Sequence, residues 1–358
     1  MASTTQQQAP AGAFSRGLLT LSLLVVGLSV AIASSDALAQ SGANSSAKSQ
    51  AKPQAKPQTK ASSSARQKAS VRASSSSMVK KNMVKASVAP MSAGARLGLR
   101  SAFADLALNS SAVLVMEQGS GEVLLEKNAD SALPIASITK VMTAIVTLEA
   151  QLPLDEIIVI AKEDSQLEKY SGSRLKVGSV FTRAELLHLA LMSCENRAAH
   201  ALGRTYPGGL DAFVAAMNDK ARALGMSSSH FVEPTGLSSS NIASPRDLAR
   251  LVNAAHGFPL IREYSTDRDA IVRVGGRQQQ FRNTNALTRS ESWDIGLSKT
   301  GFIRDAGRCL VMQANIDDRD VVIVMLDADA SAKRIADAER IRRWLSAERD
   351  RQALSVRS

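Results

Sequence analysis

Cysteine is nearly missing from this chain: Cys194 and Cys309 are the only two in 358 residues. They could pair only with Cα atoms within about 7 Å, and Cys309 reads as a small buried strand residue instead. The four histidines, His188, His200, His230 and His256, lack metal-ligand spacing. His188 and His200 fall in helical patterns and are expected to be structural. Acidic residues are absent from Gln40 to Arg100, where large apolar residues are also scarce. Such a stretch cannot bury enough surface to offset chain entropy.

Ahead of it, residues 1–39 have the pattern of a cleavable export signal. A polar leader ends at Arg16, an apolar run follows from Gly17 to Ala33, and Ala37-Leu38-Ala39 offers a small-residue cleavage site. The run is short for a membrane span, and no cysteine near the site supports a lipid anchor. The expected organisation is signal peptide 1–39, disordered basic linker 40–100 and one folded domain 101–358, placed in the periplasm. The net charge of +11 belongs to the linker, which holds twelve Lys and Arg, so 101–358 is close to neutral. Export argues against nucleic acid as the basic partner. Two readings stay open: peripheral contact with anionic envelope polymer or lipid, or a solvated spacer spanning roughly 40 Å.

The remainder alternates clear element signals. Val113–Gln118 and Glu122–Glu126 flank Gly119-Ser120-Gly121 as a hairpin. Glu156–Ile160 reads as a short strand. Thr182-Arg183-Ala184-Glu185 is a capping box before an apolar helix. Further helices are expected over 210–224, stopped by Gly225, and from Ser244-Pro245 to Gly257. Strands are expected over 293–302, 308–316 and 321–327, then a closing helix over 331–345, with 346–358 frayed. Strands first and last with a helical block between predict an α+β fold: a central antiparallel sheet flanked by terminal helices, with an inserted helical subdomain.

Three short motifs carry chemistry. Leu133 to Leu148 reads as a helix with a buried face at Ile138, Val141, Met142, Ile145 and Leu148. Ser137 and Lys140 lie one turn apart on it. A serine hydroxyl needs a base, and a lysine can serve if burial or nearby cations lower its pKa. In the second motif, Cys194-Glu195-Asn196, the Asn amide offers a donor and an acceptor to a bound peptide. In the third, Lys299-Thr300-Gly301 on a strand supplies charge, a hydroxyl and close backbone approach, suited to an extended peptide carboxylate. Each motif alone is weak.

Together, with Lys127-Asn128-Ala129-Asp130, Glu195-Asn196-Arg197-Ala198-Ala199, Thr284-Asn285-Ala286-Leu287 and Gly307-Arg308-Cys309-Leu310-Val311-Met312 around them, they resemble the penicillin-recognising serine acyl-transferases. The similarity is sharpest to the low-molecular-weight penicillin-binding proteins, the D-alanyl-D-alanine endopeptidases and carboxypeptidases, over about residues 105–345. The resemblance implies a five-stranded β-lactamase/transpeptidase-like fold. Ser137 is then expected to attack a D-alanine carbonyl of a peptidoglycan stem, and Lys140 to carry its proton. Asn196 would hold the substrate, Lys299 and Thr300 its carboxylate, and the N–H groups of Ser137 and Phe302 the oxyanion. No metal or cofactor is implied, and β-lactam antibiotics would acylate Ser137.

One position departs from the family pattern Ser-x-Asn: Cys194 stands where a serine is usual, and Ser193 is one place early. Three outcomes are open: Cys194 relays protons at reduced rate, it is nearly neutral, or the protein only binds the wall. Fifty-seven residues follow Gly301, which leaves no room for the C-terminal β-domain or anchor of the carboxypeptidases and favours an endopeptidase. A β-lactamase is disfavoured because Glu233-Pro234-Thr235-Gly236-Leu237 lacks the deacylating Glu-x-x-Leu-Asn pattern.

Overall fold

The computed structural model describes residues 91–101, 106–166 and 172–357. The predicted export signal and the linker up to residue 90 lie outside them. Along the chain run α1 (Ala93–Arg96), β1 (Ala112–Glu117), β2 (Val123–Lys127), β3 (Leu133–Pro134), α2 (Thr139–Glu149), β4 (Ile157–Val159) and β5 (Val180–Thr182). The helical block follows: α3 (Arg183–Met192), α4 (Asn196–Arg204), α5 (Gly209–Ala223), β6 (Ile242–Ala243), α6 (Pro245–His256) and α7 (Pro259–Thr266). The chain closes with β7 (Asp269–Val274), β8 (Arg277–Arg282), β9 (Asp294–Ile303), β10 (Gly307–Ile316), β11 (Arg319–Ala328) and α8 (Ser331–Arg357).

The main sheet has five strands in the order β2-β1-β11-β10-β9, antiparallel throughout. Alternation of side chains across a strand builds two cores. Val113, Val115, Leu310, Met312, Ile323 and Met325 face α8, where Ala338, Ile341 and Leu345 meet them. Leu114, Val311, Val322 and Val324 face the helical block. Burial on both faces explains why β10 and β11 read as nearly unbroken apolar runs. The predicted α+β architecture is therefore the one observed, and β9 lies at the sheet edge beside the helices.

Caps behave as their sequences require. Glu185 N donates to Thr182 Oγ1 at 3.1 Å, and Thr182 N donates back to Glu185 Oε2 at 2.8 Å. Four expectations are corrected. The helix expected from Leu133 begins later: Leu133 and Pro134 pair with Ala243 and Ile242, Ala136–Ile138 is a 3-10 turn, and only Thr139 starts the α-helix. The folded body begins before residue 101, because Ala93 N donates to Asp305 O and Arg100 pairs with Asp327. These partners lie more than 200 residues away, so no local signal marks them. Helix α8 runs on to Arg357 rather than fraying after Leu345, and Arg349 Nη1 donates to Asp317 O at 3.0 Å. Finally, the β7–β8 hairpin was not expected, although Gly275-Gly276 at φ +55° and +82° is a hairpin turn signal.

Candidate active site

Ser137 sits in the 3-10 turn that precedes α2, directly after Ala136 at φ +50°. That left-handed conformation costs an alanine free energy and persists only where neighbours enforce it. Two glycines do so. A Cβ on Gly236 would lie 1.9 Å from Ala136 O, and one on Gly301 would lie 2.8 Å from Ile135 O. Strand β9 and the loop before β6 can therefore close on the nucleophile only because both residues lack side chains.

Lys140, fully buried one turn later, has three oxygen neighbours: Ser137 Oγ at 2.9 Å, Asn196 Oδ1 at 2.7 Å and Thr235 O at 2.6 Å. The two carbonyl oxygens can only accept, so in the neutral amine they take both N–H bonds. The remaining lone pair points to Ser137. Burial, against the opposing charge of Cys194 and with help from Lys299, draws the Lys140 pKa down from 10.5 to about 8. The structure thus supplies both requirements for a lysine base, an aimed lone pair and a pKa near neutrality.

Cys194, at φ +59° after α3, contacts the buried Lys299 Nζ and lies 3.4 Å from Thr284 Oγ1 and 3.6 Å from Thr300 O. Burial alone would raise the thiol. The charges of Lys299 and Lys140 and the Lys299 hydrogen bond outweigh it and bring the pKa to about 7. Cys194 and Cys309 are both free thiols, so they do not pair. Burial pushes Cys309 up to about 12.

These groups open into one cleft of about 240 Å³ walled by Ser137, Cys194, Asn196, Thr300, Gly301 and Phe302. Every residue predicted for the site except the two buried lysines lines it, and both lysines contact residues that do. Sequence reading missed its outer wall, where Arg308 and Arg334 also line the cleft. Arg308 stacks 3.5 Å over the Phe302 ring, and Arg334 Nη1 donates to Cys309 O at 3.1 Å. Burial, reinforced by the Arg308 charge, lowers the Arg334 pKa. Two guanidinium groups facing one cleft suit a carboxylate ligand. Thr284 belongs to the cleft as well, with its Oγ1 2.6 Å from Thr300 Oγ1. Asn285 accepts from Leu287 N, as a turn former does, and also donates to Ser298 Oγ at 2.8 Å, bracing β9. Glu195 pairs with Arg174 at 2.7 Å, and His188 and His200 meet Asp267 and Asp164 away from the cleft.

Residues 99–330 match the family model described as D-alanyl-D-alanine carboxypeptidase. The chain is 48% identical to the D-alanyl-D-alanine endopeptidase of Pseudomonas aeruginosa over 240 residues, 66% of this chain and 77% of that protein. It is 42% identical to the D-alanyl-D-alanine endopeptidase of Escherichia coli over 238 residues, with the same two coverages. Among solved structures it is similar to penicillin-binding protein D2 from Listeria monocytogenes in a cefotaxime-bound form. That match has TM-score 0.59 and 29% identity, and it covers 66% of this chain and 96% of the other. With a serine, a buried lysine and an asparagine assembled beside a Lys-Thr-Gly strand, the chain belongs to the D-alanyl-D-alanine carboxypeptidase family of serine peptidases.

Proposed function

We propose that this protein is a periplasmic D,D-endopeptidase that hydrolyses D-alanyl cross-links of peptidoglycan. The observation that carries the reading is the Ser137 hydroxyl set 2.9 Å from the Nζ of Lys140, a lysine with pKa about 8, inside a peptide-sized cleft. Lys140 takes the Ser137 proton as Oγ attacks the D-alanine carbonyl. The oxyanion is held by the N–H groups of Ser137 and Phe302. The leaving nitrogen receives a proton through Cys194 and Lys299, and the C–N bond breaks. A water then attacks the acyl-enzyme, gives a proton back to Ser137 and releases the shortened stem. Asn196 holds the substrate backbone, while Lys299, Thr300 and Arg334 meet the carboxylate beside the scissile bond. β-Lactams enter the same site and acylate Ser137.

Cross-link cleavage is favoured over removal of a terminal D-alanine because the endopeptidases resembled are more similar than the carboxypeptidases. The weakly catalytic or purely wall-binding alternative draws on the thiol at Cys194, but the lysine–serine geometry argues for chemistry. Digestion of intact sacculi followed by muropeptide separation decides among these. Loss of cross-linked dimers is expected. Loss of pentapeptides alone would make the protein a carboxypeptidase, and an unchanged profile would leave it a binding protein.

A further inference from the structure

The carbonyl of Thr235 does not come from any of the three motifs, yet it fixes one of the two N–H bonds of Lys140. It belongs to a short irregular loop, and one buried carboxylate organises that loop. Glu233 Oε2 accepts from Thr235 N at 2.6 Å and Thr235 Oγ1 at 2.5 Å. Its Oε1 accepts from Gly236 N at 2.7 Å, Asn241 Nδ2 at 2.9 Å and Ser238 N at 3.3 Å. Glu233 is 5% exposed and Thr235 1%. With five donors on its two oxygens the carboxylate has no capacity left to activate water. The loop is anchored to α2 by Thr143 Oγ1, which donates to Pro234 O at 2.7 Å.

We propose that Glu233 is a positioning residue for acylation: by gathering the N–H groups of residues 235, 236 and 238 it aims the Thr235 carbonyl at Lys140, and so aims the Lys140 lone pair at Ser137. A carboxylate is required because all its neighbours are donors. A glutamine amide would turn its own N–H groups toward other N–H groups. The charge acts as well. The groups facing Lys140 are Cys194, Lys299, Glu233 and Glu195, and Glu233 is one of those that raise its pKa. Removing that charge makes Lys140 lose its proton at lower pH.

The inference rests on Ser137 and Lys140 being the acylating pair, not on which peptidoglycan bond is cut. The test therefore uses fluorescent penicillin and the full protein, following the second-order acylation rate from pH 6 to 10. In Glu233→Gln the plateau rate is expected to fall at least tenfold, with the acid limb displaced to lower pH. End-point labelling and circular dichroism report the folded fraction. Thr143→Val serves as a second variant, because it loosens the same loop and keeps the charge: its plateau is expected to fall at least threefold with the limb unmoved. A Glu233→Gln profile that superimposes on the parent after correction for folded fraction overturns the proposal. So does a parent-like Thr143→Val if Glu233→Gln does not fold. A parent that penicillin never labels would instead overturn the assignment of Ser137 and Lys140 itself.

Discussion

Replacing Cys194 with serine puts the family's usual hydroxyl between the two buried lysines, and its effect can be worked from the site. With Lys140 near pKa 8, about one molecule in eleven holds the neutral amine at pH 7, and about ten in eleven at pH 9. The parent rate should therefore rise roughly tenfold between those pH values, because the base form is gained as pH rises. The Cys194 thiol, with pKa about 7, becomes negative in the same range and holds the Lys140 proton on. Since the two groups titrate as a pair, a serine that stays neutral moves the acid limb to lower pH. The gain at pH 7 is bounded by the missing neutral fraction, about elevenfold, and it should vanish above about pH 9. Acylation by fluorescent penicillin across this range, on Cys194→Ser and the parent, reads both features. An unchanged rate at pH 7, or a gain that persists undiminished at pH 9.5, would refute the electrostatic argument.

Two other perturbations follow from the packing. Gly236→Ala forces a Cβ against Ala136 O at φ +81° and should cost about 2–3 kcal/mol, lowering Tm by roughly 5–10 °C and abolishing penicillin labelling. A melt within 2 °C of the parent would mean the loop does not press on the nucleophile turn. Iodoacetamide at pH 7.5 should modify Cys194 within minutes and spare Cys309 until denaturant is added, since their pKa values are about 7 and about 12. Equal modification of both in the native protein, measured by peptide mass spectrometry, would contradict that contrast.

What the sequence disclosed divides along physical lines. The sheet and its flanking helices were legible because β1, β10 and β11 are apolar runs of strand length, and because Thr182 and Ser244 cap their helices by local hydrogen bonds. Ser137, Lys140, Asn196 and Lys299 stood out through the family resemblance that their three motifs carry together, each motif alone being weak. The contribution of Thr235 did not, because it acts through a backbone oxygen that any residue carries. Arg308 and Arg334 were hidden for another reason: arginines are common surface residues, and only the tertiary fold turns these two into one cleft. The part played by Arg96 and Arg100 in the folded body was not legible, because they sit in a basic, serine-rich run and find their carboxylates far along the chain at Asp305 and Asp327.

Acylation of the Ser137 hydroxyl is the step from which every other role in the cleft follows. Treating the intact protein with benzylpenicillin, digesting it and locating the adduct by tandem mass spectrometry tests that directly. A single penicilloyl group on the Ser137 hydroxyl, absent from Ser137→Ala, is the expected result. An adduct on the Cys194 thiol, or labelling that survives in Ser137→Ala, would contradict the central claim.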